Sequence, residues 1–156
     1  MELNKASRHK ILSYLRTTDA LKNTPIDRII SHIAKLEACE QLEAEEDIDG
    51  NLVYAVGWWK LTDKAIEDML NDIPPKRYNR GRNIVGLFWL IPNQDLGIMQ
   101  MRRIVKRICK MERATSLHIW TPRDKWFCVR LSPSQKPWQR MKRSKVNQVM
   151  KVLSGS

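Results

Sequence analysis

Apolar residues recur at helical spacing in the first part of the chain. Ile11, Leu12 and Leu15 fall on one side of a helix expected from Lys5 to Thr17. Beyond Thr24-Pro25, the residues Ile26, Ile29, Ile30, Ile33 and Leu36 repeat at i, i+3, i+4 and i+7. This predicts a second helix with Thr24 as its cap, Pro25 in its first turn and the stripe packed in a core. The period then shortens to two. Leu42 and Ala44 alternate with Gln41, Glu43 and Glu45, Asp49-Gly50 marks a turn, and Leu52 to Trp59 is β-branched and aromatic. That pattern predicts a β-hairpin turning near Asp49 to Asn51. Thr62 is placed to cap a short helix running to Leu70, with Ile66, Met69 and Leu70 facing inward. Pro74-Pro75 ends it, and Lys76 to Arg82 is an exposed basic loop.

The second half repeats the alternation of strand and helix. Asn83 to Ile91 is almost wholly apolar, as in a strand buried on both faces. Gly97 to Arg113 is amphipathic: Ile98, Met101, Ile104, Val105 and Ile108 form one side, and Arg102, Arg103, Lys106, Arg107, Lys110 and Arg113 cover the rest. Ser116 to Thr121 and Trp126 to Leu131 read as two more strands, and Pro137 to Leu153 as a last basic helix or tail. The expected order is α-α-β-β-α-β-α-β-β-α. It describes an α/β protein with a mixed central sheet flanked by helices, one domain over residues 1–135 and a basic C-terminal helix or tail over 136–156.

Charge changes the picture more than composition does. The chain carries +11 overall. Met1 to Tyr78 holds 11 Lys/Arg against 14 Asp/Glu, whereas Asn79 to Ser156 holds 17 against 3. A half this basic calls for a polyanion or an acidic protein surface as partner. Arg102, Arg103, Lys106, Arg107 and Lys110, with Arg140, Lys142, Arg143 and Lys145 of the tail, are the candidate nucleic-acid contacts. Trp126 and Trp138, beside Lys125, Arg130, Lys136 and Arg140, are candidate stacking residues. Cys39, Cys109 and Cys128 are odd in number and widely spaced, which excludes a disulfide framework and predicts reduced thiols. His9, His32 and His118 form no ligand pair, so no metal site is expected. No apolar run approaches a membrane span, and MELNKASRHK lacks a signal-peptide apolar region. An intracellular, cytoplasmic protein without membrane insertion is the expectation.

Two stretches carry resemblances. From roughly Thr18 to Ser132 the order of elements resembles the GNAT fold, in particular the toxin-activating lysine acyltransferases. Lys22-Asn23-Thr24-Pro25 is similar to that family's R-N-W-P segment, Ala55 to Leu61 (AVGWWKL) to its A-Y-x-S-W strand, and Phe88-Trp89-Leu90-Ile91-Pro92 to its D-W-I-A-P strand end. The resemblance implies a GNAT-like sheet and a cofactor turn of the form Q/R-x-x-G-x-G/A. Gln94 and Gly97 fit that turn, Ile98 follows, and Met99 occupies its final Gly/Ala position. There the backbone N–H groups and the helix N-terminus would meet the pyrophosphate of an acyl-CoA. The family's catalytic histidine and aspartate fall on Leu21 and Phe88, so the resemblance implies a degenerate site with no catalytic residue and no cofactor. The shorter run Ile29 to Met69 resembles winged-helix regulators through Lys35-Leu36-Glu37, Asp49-Gly50 and Leu61-Thr62-Asp63-Lys64. That would turn Arg28, Ser31, His32 and Lys35 toward DNA. The acidic hairpin of Glu43, Glu45, Glu46, Asp47 and Asp49 is opposite in sign to a DNA-facing wing.

The leading expectation is therefore a non-enzymatic or degenerate acyltransferase-fold protein of viral or mobile-element type, binding nucleic acid or another polyanion through its basic half. An active acyltransferase using acyl-CoA or an acidic acyl carrier protein is the first alternative, and a winged-helix DNA-binding protein the second.

Overall fold

The computed structural model describes residues 4–17, 22–90, 98–120 and 126–138. Helices α1 (Lys5–Thr17) and α2 (Ile26–Ala38) lead into the hairpin of β1 (Leu42–Glu46) and β2 (Leu52–Leu61). The short α3 (Asp63–Leu70), β3 (Asn83–Leu90), α4 (Ile98–Met111), β4 (Ser116–Trp120) and β5 (Trp126–Arg130) follow. The order expected from the pattern holds through β5, and the last expected helix lies almost wholly outside the described residues.

The strands form one mixed sheet in the order β1-β2-β3-β4-β5. Neighbours run antiparallel except β3 and β4. That pair is joined through α4, the long crossover that parallel neighbours need. Helices cover both faces. On one, Ile11 and Leu15 of α1, Ile29, Ile33 and Leu36 of α2, and Ile66 and Met69 of α3 pack on Ala55, Trp59, Leu61, Val85 and Phe88. On the other, α4 lays Ile108, with Ile104, Val105 and Cys109, over Tyr54, Val56, Trp58, Ile84 and Leu117. β2 is therefore covered twice, which accounts for its nearly continuous apolar sequence.

Two local expectations change. Thr62 does cap α3, its Oγ1 accepting from the Ala65 N–H at 3.2 Å. Thr24 does not cap α2: the cap position falls on Pro25, with no side-chain hydrogen bond. The proline ring already sets the backbone angle that a helix start requires. The isoleucine stripe of α2 is also wider than its contact. Ile29 and Ile33 are buried, but Ile26 and Ile30 remain 45% and 48% exposed. They lie on the flank of the helix that turns away from the sheet.

β3 carries one extra residue. Gly57 pairs with Phe88 and Trp58 with Gly86, leaving Leu87 as a bulge. The inserted residue puts Val85 and Phe88 on the same face, and the Phe88 ring comes to lie directly over Gly57. A Cβ at residue 57 would come within 2.3 Å of the ring's Cε1. At Gly86 an added Cβ would meet the Ile119 methyl at 3.3 Å, a far milder contact. A second specialised spot lies where β2 ends. The Asn83 amide donates to Leu61 O at 3.0 Å and to Asp63 Oδ1 at 2.8 Å. Its oxygen accepts from Ser116 Oγ at 2.5 Å and from Trp138 Nε1 at 3.1 Å.

Both buried histidines are held neutral. Burial, aided by Lys35, lowers the His32 pKa to about 4, and burial alone lowers that of His118 to about 4. In the unfolded chain each titrates near 6.5. Between those values the unfolded state binds more protons, so stability is complete above pH about 6.5 and is lost as pH falls toward about 4. Thermal unfolding followed across this window should show a falling Tm, and His32→Gln and His118→Gln should each flatten that fall. Gly57→Ala should cost about 1–3 kcal/mol through overpacking against Phe88. Gly86→Ala should cost less in the same denaturation assay.

Candidate polyanion-binding face

α4 presents its charge because its apolar side is occupied. With Ile104, Val105 and Ile108 facing the sheet, Arg102, Arg103, Lys106 and Lys110 are turned outward and exposed. None of these four is paired with a carboxylate among the described residues. They form a run of unneutralised cations along an outer surface about two turns long.

Arg107, expected to join them, is placed differently. Its Nη2 lies 2.6 Å from Glu43 Oε2 and 3.2 Å from Tyr54 Oη. Tyr54 Oη in turn donates to the same Glu43 oxygen at 3.0 Å. Burial, reinforced by the Glu43 carboxylate, raises the Tyr54 pKa and keeps the phenol protonated. Glu43 comes from β1, so this cluster ties the β1 flank of α4 to the sheet. Nearer the C-terminus of α4, Glu112 Oε2 lies 3.2 Å from Lys60 Nζ and accepts from Trp58 Nε1 at 3.4 Å. The apolar packing sets the rotation of α4, the two contacts add to it at its edges, and together they direct its free cations outward.

The expected cofactor turn is only partly described. Gln94 and Gly97 lie outside the described residues, as do Leu21 and the tail cations Arg140, Lys142, Arg143 and Lys145. Ile98 opens α4, and the Met99 side chain is 64% exposed in its first turn. Phe88 is a buried core residue on the face that carries α1 to α3. The ladder between β3 and β4 is short, pairing Asn83, Ile84 and Val85 with Ser116, Leu117 and His118. β3 continues to Leu90 beyond the last of these pairs.

The residues expected to read DNA from α2 do not act together. Arg28, Ser31 and Lys35 are exposed, but His32 is buried against Trp59 and Tyr78, with ring centroids 6.1 and 5.8 Å away. The hairpin is no free wing either, because β2 runs on between β1 and β3 within the sheet. Trp138, a candidate stacking residue, packs on the main core and donates to Asn83. Lys136 stands over its ring at 5.0 Å. The Trp126 side chain lies outside what is described.

One cluster escaped sequence reasoning. Ser116 and His118 share a strand face, with Ser116 Oγ 3.2 Å from His118 Nε2 and Cys128 Sγ 3.9 Å from the same nitrogen. A serine beside a histidine is the geometry of an activated nucleophile. Here both residues have no exposed surface, and the serine proton is committed to Asn83. Burial also raises the Cys128 pKa, which keeps the thiol protonated. The group is internal polar packing. The signal for it was the alternation in Ser116-Leu117-His118-Ile119, which places both polar residues on one side.

Among the described residues, no group of three or more His, Cys, Asp or Glu side chains is placed to hold a metal ion. No described helix is long and apolar enough to cross a membrane. Comparison with protein-family models, with curated proteins and with solved structures finds no match. The fold and this face define an α/β protein whose sheet, among the described residues, is covered on one side by the cationic helix α4.

Proposed function

We propose that this protein binds a polyanion, with nucleic acid as the leading case, through the outer face of α4, on a GNAT-like scaffold that has lost lysine acyl transfer. The observation that carries the reading is the set of four exposed cations Arg102, Arg103, Lys106 and Lys110 on one helix, none of them paired with a carboxylate among the described residues. Lysine and arginine at this density neutralise phosphates and release condensed counterions, at about 0.9 counterion per contact with duplex DNA. Among the described residues no sequence-reading element accompanies them: the helix lies on the sheet, and His32 of α2 is buried. Binding is therefore largely independent of base sequence. The parting of β3 from β4 after three paired residues supports the GNAT-like scaffold, and the buried Phe88 in place of a carboxylate supports the loss of chemistry.

Affinity for a short DNA duplex and a matched RNA, measured by fluorescence anisotropy against salt concentration, should fall with a log–log slope of about −2.7 to −3.6 on the duplex, from three or four phosphate contacts. Arg103→Glu/Lys106→Glu should weaken binding at least about tenfold and flatten the slope. Arg28→Ala/Lys35→Ala on α2 should leave it unchanged. A flat salt response, or full binding by the Arg103/Lys106 variant, would sink the proposal.

A second reading is kept by one observation. Gly86 still packs against Ile119, but from Leu87 to Leu90 β3 has no ladder partner in β4 among the described residues, which leaves a stretch of strand where an extended ligand would pair. A strand pair that ends early supports an acyl-CoA acyltransferase as the second reading. Calorimetric titration with acyl-CoA should show no binding by the wild type and at most weak binding by Met99→Gly. Tight binding with acyl transfer by the wild type would make the acyltransferase the correct reading.

A further inference from the structure

The Glu43 carboxylate occupies the position that an anionic ligand would take at one end of the cationic helix, and we infer that it is a built-in competitor for that ligand. The inference rests on the polyanion reading of α4 and specifies how that face is limited. Glu43 Oε2 receives two donors, the Arg107 guanidinium at 2.6 Å and the Tyr54 hydroxyl at 3.0 Å. A guanidinium N–H and an O–H converging on one anionic oxygen is also how proteins hold a phosphate oxygen. Arg107 lies on the same helix as the four free cations, one position from Lys106 and four from Arg103. It is more than half exposed, with its side chain at 57%, while Glu43 beneath it is at 18%. The guanidinium is thus within reach of a ligand in solution, and its charge is already matched from below.

Competition follows from the energetics of the pair. Arg107 is the exposed member of the pair, so solvent and salt screen it, and α4 keeps its seat through Ile104, Val105 and Ile108 when the guanidinium leaves. A polyanion that arrives along α4 with several phosphates can therefore draw Arg107 away from Glu43. It then leaves behind a carboxylate that repels it. Glu45 stands two residues along β1, paired with Tyr54 in the ladder and exposed, and adds to the same acidic margin. The β1 side of the helix is in this way closed to a bound strand, and the ligand is confined to the line from Arg103 through Lys106 to Lys110. Neutralising Glu43 releases Arg107 and extends that line by one contact.

The test is Glu43→Gln, which keeps an oxygen able to accept from Arg107 and Tyr54 but removes the charge. Binding of the same labelled DNA duplex should tighten about threefold to tenfold, and the salt slope should steepen by about 0.9, one further contact. Glu45→Gln removes an equal charge from the same strand without releasing an arginine, and should give a smaller gain with an unchanged slope. Glu43→Gln/Arg107→Met should lose the gain, which marks Arg107 as the residue released. Glu43→Asp keeps the charge on a shorter arm, preserves the strand if the glutamine variant unfolds, and should give an intermediate gain. Wild-type binding with equal responses to Glu43→Gln and Glu45→Gln, or a gain that survives Arg107→Met, would overturn the competitor and leave the polyanion reading intact. An absence of duplex binding by the wild type and by Glu43→Gln alike would remove both.

Discussion

Four hydrogen bonds converge on the buried side chain of Asn83 and join four separate parts of the chain. The amide spans from the last residue of β2 to the first residue of α3, and its oxygen receives Ser116 of β4 and the indole of Trp138. Asp63 is also reached by Gln135, whose own oxygen accepts from Thr115. One residue thus joins the start of α3, the parallel strand pair and the chain beyond β5. An amide suits this position because it offers donors and acceptors together, whereas a carboxylate would lack the two donors. Truncation would strand several partners away from water, and each unmatched buried group costs about 1–3 kcal/mol.

The other face of the sheet follows a different constraint. Tyr54, Val56, Trp58, Ile84 and Leu117 need an apolar cover, and α4 supplies it from a helix in which half of the remaining positions are Lys or Arg. A helix built this way has only one orientation that keeps its charges hydrated. The Arg107–Glu43–Tyr54 and Glu112–Lys60–Trp58 contacts add to that orientation at the edges of the helix. The positive outer surface is therefore a consequence of covering the sheet with this helix. Its value for binding depends on how few of the cations are neutralised from within.

Hydrophobic period made much of this legible. The change from 3.6 to 2 after Leu36 marked the hairpin, and the shift back after Pro92 marked α4, because burial on one side leaves the same trace in any chain. The outward direction of Arg102, Arg103, Lys106 and Lys110 was legible for the same reason. Other features left no such trace. Ile26 and Ile30 belong to the apolar stripe of α2, yet nothing local distinguishes a covered isoleucine from an uncovered one. Trp138 and His32 looked like surface chemistry because tryptophan beside lysine, and histidine on a helix with arginine, are found in binding sites. Their burial depends on strands far away in sequence.

The sequence by itself determined the order and type of the elements and the separation of charge between the two halves. Both follow from patterns that extend over only a few turns or a few residues of strand. Tertiary structure alone decided which cations are free. Arg107 and Lys106 are neighbours on one helix with equal formal charge, and they differ because β1 brings Glu43 and β2 brings Tyr54 under the first and not the second. A charge acts through what lies within a few ångströms of it, and here that distance is closed by residues 64 and 53 positions apart along the chain.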